Sequence, residues 1–170
     1  MTGHLEIEPL ALQHVEQIFD ALDFDSIYEF INSSPRPRDV GQMVARIKRL
    51  NAGPNPKSGQ RWFNFTMFLN AEVIGQLQAT VVGSSAEIGY VLSPLFSGKG
   101  YATTGVRWLM EHLSMTGQIA EFWASVDPRN LKSIQLLRRC GFTETSLPTQ
   151  GLLSYEPGDA IFQLRRSMAS

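Results

Sequence analysis

The chain has 170 residues, 43% of them hydrophobic and 18% charged, and a net charge of −1. Its length and mixed composition fit one globular domain spanning residues 1–170 with a full core, show no compositional sign of disorder, and give no support for a broad cationic nucleic-acid surface. No apolar run approaches the roughly 18 residues of a membrane span, and Met1–Leu10 has no signal-like pattern, which points to the cytoplasm and to no membrane partner.

Leu5–Leu10 alternates apolar and acidic residues, as a strand with one wet face does. Leu12, Val15, Ile18, Phe19 and Leu22 then take helical spacing. A second helix is predicted over Val40–Leu50, between the breaker segments Asn32–Pro37 and Asn51–Pro56, so that the region Asp23–Leu50 forms a helical flap. Arg61–Leu69 and Ala71–Val82 read as two strands joined at Asn70, with Ala86–Leu92 as their neighbour. Val106, Leu109, Met110 and Leu113 recur at i, i+3, i+4 and i+7 and mark the next helix. A strand over Ile119–Val126, a helix over Asn130–Cys140 and strands over Phe142–Leu147 and Asp159–Arg165 complete the chain. The order βααβββαβαββ predicts a mixed α/β (α+β) sheet flanked by helices.

The junction Ser97-Gly98-Lys99-Gly100-Tyr101-Ala102, between a strand and a helix, carries the chemistry. Glycines at 98 and 100 allow positive φ and close approach of backbone N–H groups to an anion, the following helix puts its positive end there, and Lys99 adds a point charge. Two phosphate loops fail the comparison. A Walker loop needs Gly where Ser93 stands and Ser or Thr where Gly100 stands, and a dinucleotide fingerprint needs Gly where Thr103 stands.

The segment does match, at its fourth and sixth positions, the acyl-coenzyme A loop of the GNAT superfamily of N-acetyltransferases, Gln or Arg, x, x, Gly, x, Gly or Ala. Glu87–Pro94 resembles that family's fourth strand, and Val126–Ser133 with Gly141-Phe142 resembles its fifth strand, next helix and exit. The last two blocks are most similar to the branch that includes the ribosomal-protein alanine N-acetyltransferases. The resemblance implies a mostly antiparallel central sheet and acetyl-CoA as cosubstrate, with direct transfer to an amine, either a protein N-terminus or a small molecule, and no metal. It places the pyrophosphate on residues Ser97 to Ala102, a backbone N–H of Val91 or Leu92 at the thioester carbonyl, Asn130 on the pantetheine arm and Ser133 at the departing thiolate. Ser97 departs from the usual Gln or Arg, which shifts phosphate binding toward backbone amides and Lys99. Where relatives often carry a fifth-strand Glu, this chain has Ser125. The same loop also admits a non-catalytic acyl-CoA sensor or a nucleotide-binding domain.

Several residues carry two readings. Glu87, a carboxylate on a strand beside the loop, is a candidate base acting directly or through water, or else a solvated edge residue. Ser133 is a proton donor or a first-turn hydrogen-bonding group, and Asn130 suits an N-cap as well as a ligand contact. Asp23, Asp25 and Glu29 on the flap either attract a cationic acceptor or are exposed helix charges. Cys140 reads as a small buried hydrophobe, His112 as a satisfied surface residue, and Trp62, Phe63, Phe65 and Phe68 as core that could also wall an acceptor slot. A single Cys and His residues only at 4, 14 and 112 argue against a metal cluster. A monomer and a homodimer are equally compatible with the sequence.

Overall fold

Alternating side chains along the long strands sort themselves onto two faces, and each face finds its own helices. The structure, a computed structural model, describes residues 3–31 and 34–167. Seven strands, β1 (Leu5–Pro9), β2 (Gln60–Leu69), β3 (Glu72–Val82), β4 (Ser85–Leu92), β5 (Glu121–Val126), β6 (Thr143–Thr145) and β7 (Ala160–Arg165), form one sheet in the order β1-β2-β3-β4-β5-β7-β6. Every pairing is antiparallel except β4 with β5. The helices are α1 (Val15–Leu22), α2 (Asp25–Tyr28), α3 (Val40–Ala52), α4 (Tyr101–Gly117) and α5 (Leu131–Arg139).

On one face Leu77, Ala79 and Val81 of β3 meet the apolar stripe Val106, Leu109, Met110 and Leu113 of α4, together with Leu136 and Leu137 of α5. On the other, Phe68 and Val73 pack under Ile18 and Leu22 of α1 and Met43 and Ile47 of α3. Apart from Ala79, each of these buried side chains contributes about 1.5–3 kcal/mol of apolar burial. The predicted stripe of α4 is buried throughout, and Ile18, Leu22 and Ile47 are buried as expected on the other face, where Leu12 is 38% exposed and Met43 joins the core instead.

The element order agrees with expectation apart from one addition. The four-residue helix α2 follows an extended Phe24 and has too few residues to show a period in sequence. The strand expected over Phe142–Leu147 shrinks to Thr143–Thr145, an exposed edge piece, because the chain leaves the sheet just before Pro148. Of the breaker segment predicted at 32–37, Asn32 and Ser33 lie outside the described residues. Asn70 (φ 51°) and Ala71 (φ 67°) both take the left-handed conformation, the geometry that a two-residue hairpin of type I′ requires.

Two backbone features set the end of β4. The β2–β3 register slips between Met67 and Phe68, and a Cβ added at Gly75 would lie 2.4 Å from the Val91 carbonyl oxygen. Only glycine permits so close an approach of β3 to β4. Just beyond, the Ser93 N–H donates to Ile74 O at 2.7 Å and turns the chain out of the sheet toward the glycine loop.

Candidate active site

Strands β4 and β5 pair in parallel for three residues only, Ser85–Glu87 against Glu121–Trp123. After that they separate, and a cleft of about 230 Å³ opens between Gly89, Tyr90 and Val91 on one side and Ser125, Val126 and Asp127 on the other. The antiparallel ladder alternates which amides face the partner strand. Since Ser93 N–H is taken by β3, that of Val91 faces β3 as well, and those of Tyr90 and Leu92 face the gap. Leu92 therefore presents the backbone donor nearest the glycine loop. Sequence had left the choice between Val91 and Leu92 open.

On the α4 side of the gap, Gly98 (φ 76°) and Gly100 (φ 84°) both adopt the left-handed conformation, and a Cβ at either would meet nothing within 4 Å. Glycine is needed there for its backbone and leaves an open cradle. Gly100 caps α4 without any side-chain hydrogen bond. The Ser97 N–H is used on Pro94 O at 3.2 Å, and the next amide with a backbone acceptor is that of Thr104, on Gly100 O at 3.0 Å. The amides between them have no backbone acceptor and stand at the positive end of the helix, a geometry that suits an anion. Residues 97–100 are exposed, and Tyr101 and Ala102 are half-buried where α4 begins. Lys99 Nζ lies 5.9 Å from the Phe96 ring centroid, which holds the ammonium beside the loop.

Across the cleft, Asn130 Oδ1 accepts the Ser133 N–H at 3.2 Å and caps α5. The Ser133 hydroxyl does something else. Its Oγ lies 2.6 Å from the Tyr90 hydroxyl, which also reaches the Ser133 carbonyl at 3.3 Å. Burial pushes the Tyr90 pKa up, against the smaller opposing effect of the Ser133 bond, so the phenol remains protonated at working pH and can donate. Tyr90 escaped the sequence reading because an aromatic in a strand is ordinarily core, and nothing local signals a partner 43 residues away.

Glu87 and Ser125 share the opposite face, together with Gln76 and Gln78 of β3. The half-buried Glu87 carboxylate accepts the N–H groups of Leu153 and Ser154, each at 2.8 Å, and the Ser154 hydroxyl. It pins the loop between β6 and β7 against the sheet. Ser154 in turn lines the cleft, with its Oγ 3.1 Å from Ser125 Oγ, so Glu87 reaches the cleft through a hydroxyl. The flap acids Asp23, Asp25 and Glu29 are exposed, which fits the second of the two readings offered for them. Asp23 is held by Arg36 at 2.7 Å and Asp25 is paired with the same guanidinium. Among the described residues Arg46 is the cation that lines the cleft, and Asp127, Glu156 and Asp159 line it as well.

His112, Cys140, Trp62, Phe63, Phe65 and Phe68 do not line the cleft. His112 stacks on Trp108 at 4.7 Å, and Cys140 is half-buried with burial raising its pKa. Phe65 and Phe68 are buried, whereas Trp62 and Phe63 are half-buried. Glu121 bonds Ser85 (2.8 Å) and Arg165 (3.1 Å), tying β4, β5 and β7 together. No helix among the described residues is long and apolar enough to cross a membrane.

A family model described as an acetyltransferase (GNAT) domain matches residues 4–143. Proteins similar in sequence include the uncharacterized N-acetyltransferase p20 of Bacillus licheniformis, 26% identical over 149 residues, 86% of this chain and 83% of that protein. The uncharacterized N-acetyltransferase YnaD of Bacillus subtilis (strain 168) is 23% identical over 127 residues, 72% of this chain and 75% of its own. Among solved structures, the ribosomal L7/L12 alpha-N-protein acetyltransferase RimL in complex with coenzyme A superposes with a TM-score of 0.81 at 19% identity, covering 99% of this chain and 97% of that one. That likeness shows the fold.

Proposed function

The chain belongs to the GNAT acetyltransferase family, and from that premise we propose that it moves the acetyl group of acetyl-CoA directly to an amine, a protein N-terminus or a small molecule, with residues 1–170 acting as one catalytic domain in the cytoplasm. The observation that carries the reading is the parting of β4 and β5 beside a left-handed glycine loop. A cleft with a polar floor therefore lies beside the exposed start of α4, which supports cosubstrate binding across the two.

The cosubstrate supplies an activated thioester, so the protein's task is orientation, charge stabilisation and proton handling. The amides following Ser97, with Lys99, hold the pyrophosphate, and Asn130 lies along the path of the pantetheine arm. The Leu92 N–H faces the gap where the carbonyl oxygen would lie, a donor whose bond strengthens as negative charge develops there. Glu87 takes the acceptor's proton through Ser154, whose hydroxyl already donates to the carboxylate and accepts on its other side. Either hydroxyl of the Tyr90–Ser133 pair can donate, and with Tyr90 as donor the Ser133 hydroxyl can turn to hydrogen-bond the departing thiolate.

The test is steady-state thiol release from acetyl-CoA with a panel of amines, alongside competition of CoA against ATP and NAD in a thermal-shift assay. Amine-dependent thiol release is expected. Binding of acetyl-CoA with no release above hydrolysis would make the chain a sensor, and displacement of CoA by ATP or NAD would make it a nucleotide-binding domain.

Ser133→Ala gives a further expected outcome. A thiol has an ordinary pKa of only about 8.5 and leaves well unaided, so turnover falls about tenfold. The α5 cap is made by the Asn130 side chain and the Ser133 backbone, so it survives the substitution. Kinetics and a melting curve on one preparation separate the roles, because a destabilised but fully active variant would remove Ser133 from the chemistry.

A further inference from the structure

The cleft continues past Ser34 and Arg46 into a solvent-open groove on the flap, lined also by Arg36, Arg38 and Arg49. Arg36 is already neutralised by Asp23 and Asp25. Arg38, Arg46 and Arg49 form no ion pair among the described residues. Three guanidinium groups gathered along one groove of a chain whose net charge is −1 form a local field that an anionic ligand would neutralise.

Arg46 is the member at the junction. It is half-buried and donates from Nη1 to Ser34 Oγ at 2.6 Å. Burial, with Arg49 adding to the effect and Tyr28 opposing it, holds its pKa below the usual guanidinium value, although the group stays charged. A partly desolvated cation without a carboxylate is costly and is relieved when an anion arrives. Gln76 lines the same cleft, is 3% exposed and makes no side-chain hydrogen bond among the described residues, so its amide is also available to a ligand. A small carboxylate would occupy Arg46 alone. The groove runs on past it to two more arginines, which suits an extended chain.

We propose that the acceptor is a peptide amino terminus followed closely by acidic residues. The amine enters the cleft beside Ser154, the first carboxylate pairs with Arg46, and the chain leaves along Arg38 and Arg49. This deepens the transferase reading and rests on it. Arg46 is then a specificity residue, with a planar fork matched to a carboxylate.

The experiment compares two amidated peptides that share their first residue and differ only in carrying Glu or Gln at the next positions. The Glu peptide is expected to have a kcat/KM about tenfold or more above its Gln partner, a ratio that shrinks with added salt. Arg46→Met, which keeps the aliphatic stem, should bring the ratio close to one, chiefly through KM. Arg46→Lys should retain part of it, and Arg38→Gln with Arg49→Gln should reduce it. Equal kcat/KM for the two peptides, or an equal loss for both in Arg46→Met, overturns the proposal. Calorimetric titration of both peptides into CoA-saturated protein reads the preference without turnover. A Glu preference in titration without acetyl transfer would remove the transferase reading and leave the acidic-peptide groove standing. No preference in titration overturns the groove.

Discussion

Gly98→Asp is expected to weaken acetyl-CoA binding about 100-fold while leaving the fold intact. Aspartate tolerates the left-handed conformation better than most residues, and a Cβ at Gly98 meets nothing within 4 Å, so neither strain nor collision unfolds the loop. What changes is charge. A carboxylate would stand among the amides at the start of α4, where we propose that the pyrophosphate binds, and a like charge at close range costs several kcal/mol. Gly98→Asn, of nearly the same shape but neutral, should lose far less and so isolates the electrostatic part. Calorimetric titration with a circular-dichroism control makes the measurement. Undiminished affinity in a folded Asp variant would show that the phosphates lie elsewhere.

Glu87→Gln is expected to lower the turnover number by about 100-fold or more, with part of the loss recovered at high pH, where the acceptor amine needs less help to lose its proton. The amide keeps the side chain's size but replaces one acceptor oxygen by a donor, facing the N–H groups of Leu153 and Ser154. Two effects are therefore combined, lost basicity and a loosened loop. The pH profile distinguishes them, because a loosened loop lowers the rate at every pH and raises KM for the acceptor, whereas a missing base gives the recovery. Ser154→Ala interrupts only the hydroxyl connection and should fall between wild type and Glu87→Gln. Full activity of Glu87→Gln across the pH range would end the assignment.

Much of the site was legible from neighbouring residues. The glycines at 98 and 100 declare positive φ because no other residue takes it so readily, and both have it. The Asn130–Ser133 spacing declares an N-cap, and Asn130 caps α5. The stripe beginning at Val106 declares the helix that aims its positive end at the loop, and its four apolar members are fully buried. A mixed, mostly antiparallel sheet follows from element order and the family resemblance together, whereas the parallel pairing of β4 with β5 came from the structure.

Periodicity, capping and glycine conformation are properties of residues within a turn or two of one another, so this sequence by itself determined its longer helices, its hairpin and its left-handed glycine loop. Tertiary structure alone decided which polar atoms meet. It brought Tyr90 to Ser133 across 43 residues and closed the β6–β7 loop onto Glu87 across 66 and 67. It parted β4 from β5 after three pairs, turned the Leu92 amide into the gap, and bound Asp23 to Arg36 while leaving Arg46 to line the cleft. The physical reason is that a hydrogen bond or ion pair depends on distance and direction in space. Strand order, the path of a loop and the seating of the flap set those quantities, and no local pattern along the chain encodes them.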